Sequence, residues 1–393
     1  MADLPYRAFD ADNHYYEAED AFTRHLDPKM ARRAMQWAEV GTRKSLLVGG
    51  KVNRFIPNPT FDPVAVPGCL DDYFRGRNPD GKDVRELFGQ LEPISPAFRN
   101  RDARIDLMDR QNLESTFLFP TLGVGMEESL FHDGVALRAA FRAFNRWLEE
   151  DWGLAYEGRL FGAPYISLTD VDWAVEELEW ALAHDCRAVV MRSAPVRMHD
   201  GNCSPGDAMF DPFWARVNEA GITVAYHSGD SGYNRFLDYW GLSGNDFRAF
   251  EFRPERICMS WEPVHDIIAS LVCGEVFVRH PRVRVATIES GSTWVPRLIG
   301  KLRKAYGQMP FAFKADPVEK LREHVWVAPY YEDDLPGLRD TLGADHMLFG
   351  SDYPHAEGLA EPTDFVEDLA GFSDDEIRLV MRDNGMGLVE RLS

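Results

Sequence analysis

The fold prediction starts from the segment Tyr6-Arg7-Ala8-Phe9-Asp10-Ala11-Asp12-Asn13-His14-Tyr15-Tyr16-Glu17. Its first four residues are typical of the start of a short strand. Residues two apart on a strand point to the same face, so Asp10, Asp12 and His14 are expected to line one side together. Carboxylates and an imidazole on a buried face cost much free energy unless a positive charge lies among them. Two explanations stay open here: a bound divalent metal, or a capped turn whose charges face solvent.

Apolar runs alternate with helical patterns from residue 101 onward. The run 187–192 is continuously apolar between its arginines, as in parallel sheets that are covered on both faces. The pattern predicts a strand over 160–168 and helices over 171–183, 335–342 and 362–370. Thr169-Asp170 precedes the helix 171–183 as its cap. With the opening segment, about eight strands are each followed by a helix, which favours a parallel (β/α)8 TIM barrel. The competitor, an open doubly wound sheet, would need a Gly-rich turn after the first strand, and the sequence has none there.

Two long excursions interrupt the alternation. Residues 18–100 are rich in Pro, Gly, Asn and Asp, and within them residues 45–55 predict a hairpin that turns at Gly49-Gly50. This stretch is expected to be an insertion after the first strand, with a lid as one candidate role. Residues 228–262, after the fifth strand, are dense in aromatics and could wall a substrate pocket, contact a second subunit or pack on themselves. The whole chain, 1–393, is predicted to be one barrel domain.

Composition excludes several partners. The net charge is −21, from 64 acidic and 43 basic residues, and such a field repels nucleic acid and anionic membranes. No apolar run approaches the ~18 residues of a membrane span. Five scattered cysteines without a C-x-x-C pattern argue against a cysteine zinc site and fit a reducing compartment. We therefore expect a cytoplasmic protein that acts on a small molecule, as a homo-oligomer, with a dimer as the expected form.

Polar residues at the predicted strand ends form the candidate site, because barrel enzymes carry their reactive groups at the carboxyl ends of the strands. These residues are Asp12, His14, Arg192, His227, Glu289 and Asp352. Taken singly, a histidine there is often a structural hydrogen-bonding residue, and an aspartate after Gly-Ser often caps a helix. Together, Asp12, His14, His227 and Asp352 offer the mixed nitrogen and oxygen ligands of one divalent metal. Zn²⁺ is favoured, with Mn²⁺ as the alternative for a site that expands beyond four ligands.

These motifs resemble the amidohydrolase-related family 2 of the amidohydrolase superfamily. The resemblance rests on Asp12-x-His14, on the strand-ending His227 and on Gly350-Ser351-Asp352-Tyr353-Pro354-His355, and it continues to Met381-Arg382-Asp383-Asn384. The insertion, residues 18–100, is the part of the chain that this resemblance covers least. The resemblance implies a TIM barrel enzyme with one divalent metal held by Asp12, His14, His227 and Asp352. It also implies either non-oxidative decarboxylation or hydrolysis.

One position departs from the family pattern. Many members end the sixth strand with His-x-Gly, whereas this chain has Glu289-Ser290-Gly291-Ser292. Glu289 could move a proton if burial or the metal tunes its pKa, or it could orient a ligand. His355 is a rival for the proton-transfer role, and its alternative is an ordinary exposed loop histidine. Arg192 could hold a substrate carboxylate in a bidentate contact, or form a salt bridge inside the barrel mouth.

The leading functional hypothesis is a non-oxidative decarboxylase acting on a small carboxylated substrate, with aromatic acids among the candidates. The alternative is a hydrolase that uses a metal-bound hydroxide on an amide, ester or lactone. A barrel without catalysis is the least favoured. Asp10 is expected to support the ligands from one layer deeper, and Glu17 is expected to lie outside the ligand set.

Overall fold

The computed structural model describes residues 4–41, 43–56, 58–242, 254–259 and 262–392. The strands are β1 (Ala8–Tyr15), β2 (Met35–Val40), β3 (Arg43–Val48), β4 (Lys51–Val52), β5 (Val64–Ala65), β6 (Leu91–Glu92), β7 (Leu113–Pro120), β8 (Leu160–Gly162), β9 (Ala188–Arg192), β10 (Val196–Met198), β11 (Gly201–Cys203), β12 (Thr223–His227), β13 (Arg284–Ile288) and β14 (Val325–Val327). The α-helices are α1 (Asp71–Phe74), α2 (Val84–Phe88), α3 (Arg101–Arg110), α4 (Met126–Ser129), α5 (Gly134–Asp151), α6 (Val171–Ala183), α7 (Asp211–Ala220), α8 (Pro254–Cys258), α9 (Pro263–Cys273), α10 (Val276–Arg279), α11 (Trp294–Gln308), α12 (Pro317–His324), α13 (Leu335–Leu342), α14 (Asp374–Arg378) and α15 (Asn384–Val389).

Two parallel sheets form the centre of this α/β fold. One has the strand order β1-β7-β8, and the other has the order β14-β13-β12-β9. Every residue of β9, β12 and β13 is buried, as expected for parallel strands covered on both faces. Because neighbouring strands run in the same direction, their carboxyl ends meet at one edge, and the candidate site residues lie there.

Single bridges join the two sheets on both sides. Tyr165 pairs with Val190 of β9, Met347 pairs with Val327 of β14, and Tyr353 pairs with Asn13 of β1, all in parallel orientation. The backbone N–H of Ala11 also donates to the carbonyl of residue 349 at 2.8 Å. Residues 347–353 therefore lie between β14 and β1, the place predicted for the eighth strand.

The described helices mostly lie where the periodicity places them, and α6 and α13 have the predicted bounds. Two elements differ. The predicted strand 160–168 ends as β8 at Gly162, because Pro164 has no N–H to continue the ladder. The predicted α-helix near 362–370 is wrong: Pro362–Leu369 is a 3₁₀-helix whose Pro362, Thr363 and Phe365 side chains are buried.

The insertion has structure of its own. Strands β2, β3 and β4 form an antiparallel sheet, and the predicted hairpin is confirmed, with Val48 paired to Lys51 across the turn. Gly49 and Gly50 have φ of 57° and 77°, a left-handed conformation that glycine adopts without penalty. Farther along, the N–H of Gly68 donates to the carbonyl of His355 at 2.9 Å, so the insertion contacts the strand ends. None of the helices in the described part of the chain has the length and apolar character that a bilayer crossing requires.

Candidate active site and metal centre

Three of the predicted ligands converge on one point. Asp12 Oδ1 lies 3.2 Å from His14 Nε2 and 3.3 Å from His227 Nε2, and the two Nε2 atoms are 3.3 Å apart. All three side chains are buried. Burial alone raises the pKa of Asp12, but the adjacent imidazoles of His14 and His227 outweigh it and hold that pKa well below its usual range. Thus β1 and β12 bring two imidazoles and a carboxylate together without an apolar layer between them.

Two further carboxylates border this cluster. Asp352 Oδ1 lies 3.3 Å from His14 Nε2, and Glu289 Oε2 lies 3.4 Å from His227 Nε2. Asp12, His14, His227 and Glu289 offer one set of donor atoms close enough for a metal, and His14, Asp352 and His355 offer a second, overlapping set. The structure therefore brings the four predicted ligands together at His14. It adds Glu289, which was expected only in an acid–base or ligand-orienting role.

The donor atoms fit a divalent cation. His227 Nδ1 is 2.7 Å from the carbonyl of Ser228, which can only accept, so Nδ1 carries the ring proton and Nε2 presents a lone pair. Two nitrogens that each lie ~2.1 Å from one tetrahedral ion are about 3.4 Å apart. The 3.3 Å separation between the Nε2 atoms of His14 and His227 matches this spacing. The carbonyl bond to Nδ1 is also the outer contact that commonly fixes a metal-binding histidine.

Backbone strain marks two of the site carboxylates. Glu289 and Asp352 have φ of 48° and 55°, in the left-handed region that non-glycine residues rarely occupy. Hydrogen bonds hold both: the N–H of Asp352 donates to the Asp12 carbonyl at 2.9 Å, and the Tyr330 hydroxyl donates to the Glu289 carbonyl at 2.7 Å. Each residue directly follows a central strand segment, so the turn aims its side chain at the cluster.

Asp10 lies beneath the cluster and joins β1 to the segment before Asp352. Its carboxylate accepts hydrogen bonds from Asn13 Nδ2 at 2.8 Å, Ser351 Oγ at 2.5 Å and the N–H groups of Asp12 and Ser351, both at 3.0 Å. Complete burial raises its pKa to about 7, although these hydrogen bonds act in the opposite direction. Asp10 therefore occupies the position of a support residue.

Glu17 has a structural position that sequence reasoning missed. It is buried, and its carboxylate accepts the N–H of Leu122 at 2.9 Å and 3.0 Å and the N–H of Gly123 at 2.9 Å. It thus fixes the loop after β7 to the end of β1. Its partners are more than 100 residues away in sequence, so no local pattern indicates them.

His355 is not an exposed loop residue. Its Nδ1 lies 2.5 Å from Asp352 Oδ1, its Nε2 lies 3.0 Å from Thr121 Oγ1, and its side chain is only 12% exposed. Both ring nitrogens are therefore engaged, and the ring packs against His14 with centroids 4.1 Å apart. This position lets His355 orient Asp352 or exchange a proton with it.

Arg192 is paired within the protein. Its buried guanidinium forms an ion pair with Glu128, and Arg197 lies 3.5 Å from the same carboxylate. Burial opposes the charge, but Glu127 and Glu128 outweigh it and raise the pKa of Arg192. Of the two roles expected for Arg192, the structure contains the salt bridge, with Glu128 as the partner. Arg192 still lines a cavity together with His227 and Glu289.

Two cavities open beside the cluster, and Glu289 and Tyr330 line both. The first, of about 230 Å³, is acidic, with Asp12, Asp352 and Glu357 in its wall. The second, of about 210 Å³, contains Arg192 and His227. Sequence reasoning missed Glu357, whose Oε2 is buried without a hydrogen-bond partner among the described residues and whose pKa is raised by burial and by Asp352. Its position two residues after His355 was the sequence feature that could have indicated a place in the site.

The aromatic loop after β12 is described only in part. Tyr233–Trp240 form a 3₁₀-helix in which Tyr239 and Trp240 are 85% and 69% exposed. Phe247, Phe250 and Phe252, which belonged to the same prediction, lie outside the described residues. The proposed roles of this loop stay predictions.

Comparison with known proteins identifies the family. The model of the family described as Amidohydrolase matches residues 95–387. A crystal structure of an amidohydrolase from Mycobacterium avium subsp. paratuberculosis K-10 is 48% identical, with a TM-score of 0.93 over 99% of this chain and 100% of that one. A 2-amino-3-carboxymuconate-6-semialdehyde decarboxylase of Dictyostelium discoideum is 25% identical over 177 residues, which span 43% of this chain and 45% of that protein.

A more distant structure has the same fold. The dihydroxybenzoic acid decarboxylase from Polaromonas sp. JS666, solved with bound manganese and the inhibitor 2-nitroresorcinol, is 17% identical, with a TM-score of 0.61 over 98% of this chain and 97% of that one. The family match spans most of the 393 residues and includes two of the four predicted ligands, His227 and Asp352, together with Glu289; it begins after Asp12 and His14. This chain belongs to the amidohydrolase family, a family of metal-dependent enzymes with a TIM-barrel fold.

Proposed function

We propose that this protein is a metal-dependent, non-oxidative decarboxylase that acts on a small carboxylated substrate, with aromatic acids favoured. The observation that carries the proposal is the buried cluster of Asp12, His14 and His227, with the Glu289 carboxyl 3.4 Å from His227 and facing two cavities. The decarboxylases among the similar proteins support the reaction type.

Asp12, His14, His227 and Asp352 would hold the metal, and Glu289 would lie beside it as the acid rather than as a ligand. Zinc suits a site of four ligands with two imidazoles, and manganese suits a site that expands beyond four ligands; one distant relative contains manganese. When bound, the ion would act as a Lewis acid toward a substrate carboxylate and a neighbouring oxygen. It would also neutralise the charges that the buried carboxylates place close together.

Glu289 would supply the proton. In decarboxylation the bond between the ring or chain carbon and the carboxylate breaks, CO₂ leaves, and the electron pair stays on that carbon. The carbon then takes a proton from the Glu289 carboxyl. Without a metal ion, burial and the nearby charges of Asp352 and Asp12 raise the pKa of Glu289 well above its usual value. A bound cation would oppose this shift, so the step requires a Glu289 carboxyl that stays protonated beside the ion without coordinating it.

The other polar residues would position these groups. His355, bonded to Thr121 and Asp352, would keep the Asp352 carboxylate turned toward His14. Arg192 would hold a substrate carboxylate only if it were partly released from Glu128, so its first role here is to shape the cavity wall. The acidic lining of the first cavity supports the second cavity as the place of a substrate carboxylate, because like charges repel.

Hydrolysis is the second candidate. The family description and the 48%-identical relative, itself described as an amidohydrolase, support it. So does the replacement of the sixth-strand histidine by Glu289, since a carboxylate beside a metal is a suitable general base for water.

The test is product analysis in D₂O with the metal-loaded enzyme. Hydroxybenzoic acids, including 2,6-dihydroxybenzoate, form one panel, and aryl esters and lactones form the other. The proposal expects CO₂ release and one deuterium at the carbon that lost the carboxylate. Glu289→Gln should lose this activity while it keeps its metal. Turnover of the esters or lactones alone, without CO₂, would replace the decarboxylase with the hydrolase.

We further infer that the parallel segments close into one eight-stranded barrel and that residues 18–100 cover its mouth. The bridges at Asn13–Tyr353, Tyr165–Val190 and Val327–Met347 support closure. The hydrogen bonds from Gly68 and Leu70 to residues 355 and 356 support a covering role for the insertion. Dimerisation and a cytoplasmic location stay predictions.

A further inference from the structure

A third cavity, of about 320 Å³, lies between the inserted sheet and the loop after β12. Glu128 lines this cavity, and its ion-pair partner Arg192 lines the cavity of His227, so one salt bridge separates the two spaces. The basic side chains in its wall are Lys51, Arg54 and Arg235, with His132 beside them. None of these residues belongs to the metal cluster.

The Glu128 carboxylate in this wall already has ion-pair partners. Both oxygens of the buried Glu128 are occupied, one by Arg192 and the other by Arg235, with Arg197 at 3.5 Å. By contrast, within the described part of the chain neither Lys51 nor Arg54 has a carboxylate at ion-pair distance. The cavity therefore has an excess of positive charge, although the chain as a whole carries −21.

The lowered pKa of His132 agrees with this excess of positive charge. Partial burial, followed by the charges of Lys51 and Arg235, lowers the pKa of its imidazole. The other acidic residue in the wall, Asp230, is mostly buried, and one of its oxygens accepts the N–H of Gly232 at 2.9 Å. Lys51, Arg54 and Arg235 are exposed, whereas Glu128 is buried and Asp230 is mostly buried.

The arginines are held in place before any ligand binds. Arg197 and Arg235 both stack on the ring of Phe131, at 4.2 Å and 4.4 Å from its centroid. Gly232, with φ of 76°, lets the loop approach Glu128 so closely that a Cβ would lie 2.7 Å from that carboxylate. Fixed guanidinium groups lose little entropy when they bind an anion, and each can donate two parallel hydrogen bonds.

We propose that this cavity is a second ligand site, separate from the metal centre, that binds a small organic dianion. Lys51, Arg54 and Arg235 would contact its charged groups, and Phe131 together with Val48 and Val52 would contact its short apolar body. The charge and size of the cavity suit a dicarboxylate or a phosphate monoester, and they disfavour a neutral molecule.

Titration calorimetry on the metal-loaded enzyme tests the site with three probes: succinate, inorganic phosphate and the neutral succinamide. Lys51→Ala with Arg54→Ala removes two of the cations. Arg303→Ala with Lys304→Ala on α11 is the control, since it changes the net charge equally on an exposed helix face far along the chain. Circular dichroism and metal content of both variants establish that the fold is intact.

We expect succinate to bind the wild-type protein in a salt-dependent manner and the control variant equally well. Affinity should fall about tenfold or more in the Lys51/Arg54 variant. Tighter binding of phosphate than of succinate would assign the site to phosphate esters, and the reverse to dicarboxylates; both support it. Equal affinity of the two variants would place the anion at the metal centre and overturn the proposal. Equal binding of succinamide, or no binding of either anion, would overturn it as well.

Discussion

Ser351→Ala is the perturbation that most directly probes how the two ends of the fold hold the metal ligands. The Ser351 hydroxyl donates to the buried Asp10 carboxylate at 2.5 Å and accepts the N–H of Tyr353 at 3.1 Å. Ser351 is 2% exposed, so water does not replace these partners. The substitution removes only the Ser351 hydroxyl oxygen and leaves the packing of the remaining side chain unchanged.

The expected loss follows from these two contacts. Above its pKa of about 7, Asp10 is charged. A hydrogen bond to a charged group contributes ~1.5–3 kcal/mol, and an N–H that loses its acceptor in a buried place costs about 1 kcal/mol more. Asp10 keeps three other donors, so its charge is not left bare. We therefore expect a decrease of about 2–4 kcal/mol in the free energy of unfolding.

Chemical denaturation followed by circular dichroism measures this change, with chelator present so that metal binding does not contribute. Ser193→Ala is the matched control. Ser193 also follows a central strand and is 7% exposed, but its hydroxyl has no hydrogen-bond partner among the described residues. Its removal should be neutral or slightly stabilising. Equal stability of the two variants would refute the argument that the Asp10–Ser351 contact ties the strands together.

Three further predictions concern single side chains. Glu289→Gln should lower turnover about 10²–10⁴-fold at unchanged metal content if Glu289 delivers the proton; wild-type turnover would make it a bystander. His355→Ala should weaken metal affinity about 10–100-fold, measured by competition with a chelator, because Asp352 loses its orienting partner; unchanged affinity would contradict this. Burial raises the pKa of Asp230 to about 6, so the stability that its neutral form contributes is complete below about pH 4 and lost as pH rises through about 6. Asp230→Asn should therefore gain stability over the wild type across that range, by at most about 3 kcal/mol, and a pH-independent difference would exclude the mechanism.

Local periodicity was sufficient for much of the fold. Helices such as α6 and α13 have the predicted bounds because an apolar face and a capping aspartate lie within each helix and its neighbours, and Gly343 follows the end of α13. The segment 347–353 lies where the eighth strand was predicted, but one bridge on each side holds it rather than a continuous ladder of strand pairs. Pro362–Leu369 forms a 3₁₀-helix where the pattern predicted an α-helix, and nothing in the local sequence distinguishes the two.

The candidate site was predicted from the position of polar residues at strand ends rather than from periodicity. Asp12, His14, His227 and Asp352 could be named because each follows a predicted strand, and parallel strands bring their ends together. Glu17 and Glu128 could not, because their partners lie 105 and 64 residues away and no motif connects them. The pairing of Arg192 with Glu128 is likewise a product of tertiary packing, and the sequence left its two roles open.

The central claim is that these strand ends form a metal site. Metal analysis of protein purified without chelator, compared with His227→Ala, tests it most directly. His324→Ala is the matched control, since His324 is also buried but its Nδ1–H donates to the carbonyl of Val283, away from the cluster. We predict about one zinc or manganese ion per chain in the wild type and the control, and loss of it in His227→Ala with the fold retained. Well under one ion per chain in the wild type, with none taken up on addition of either metal, would contradict the account.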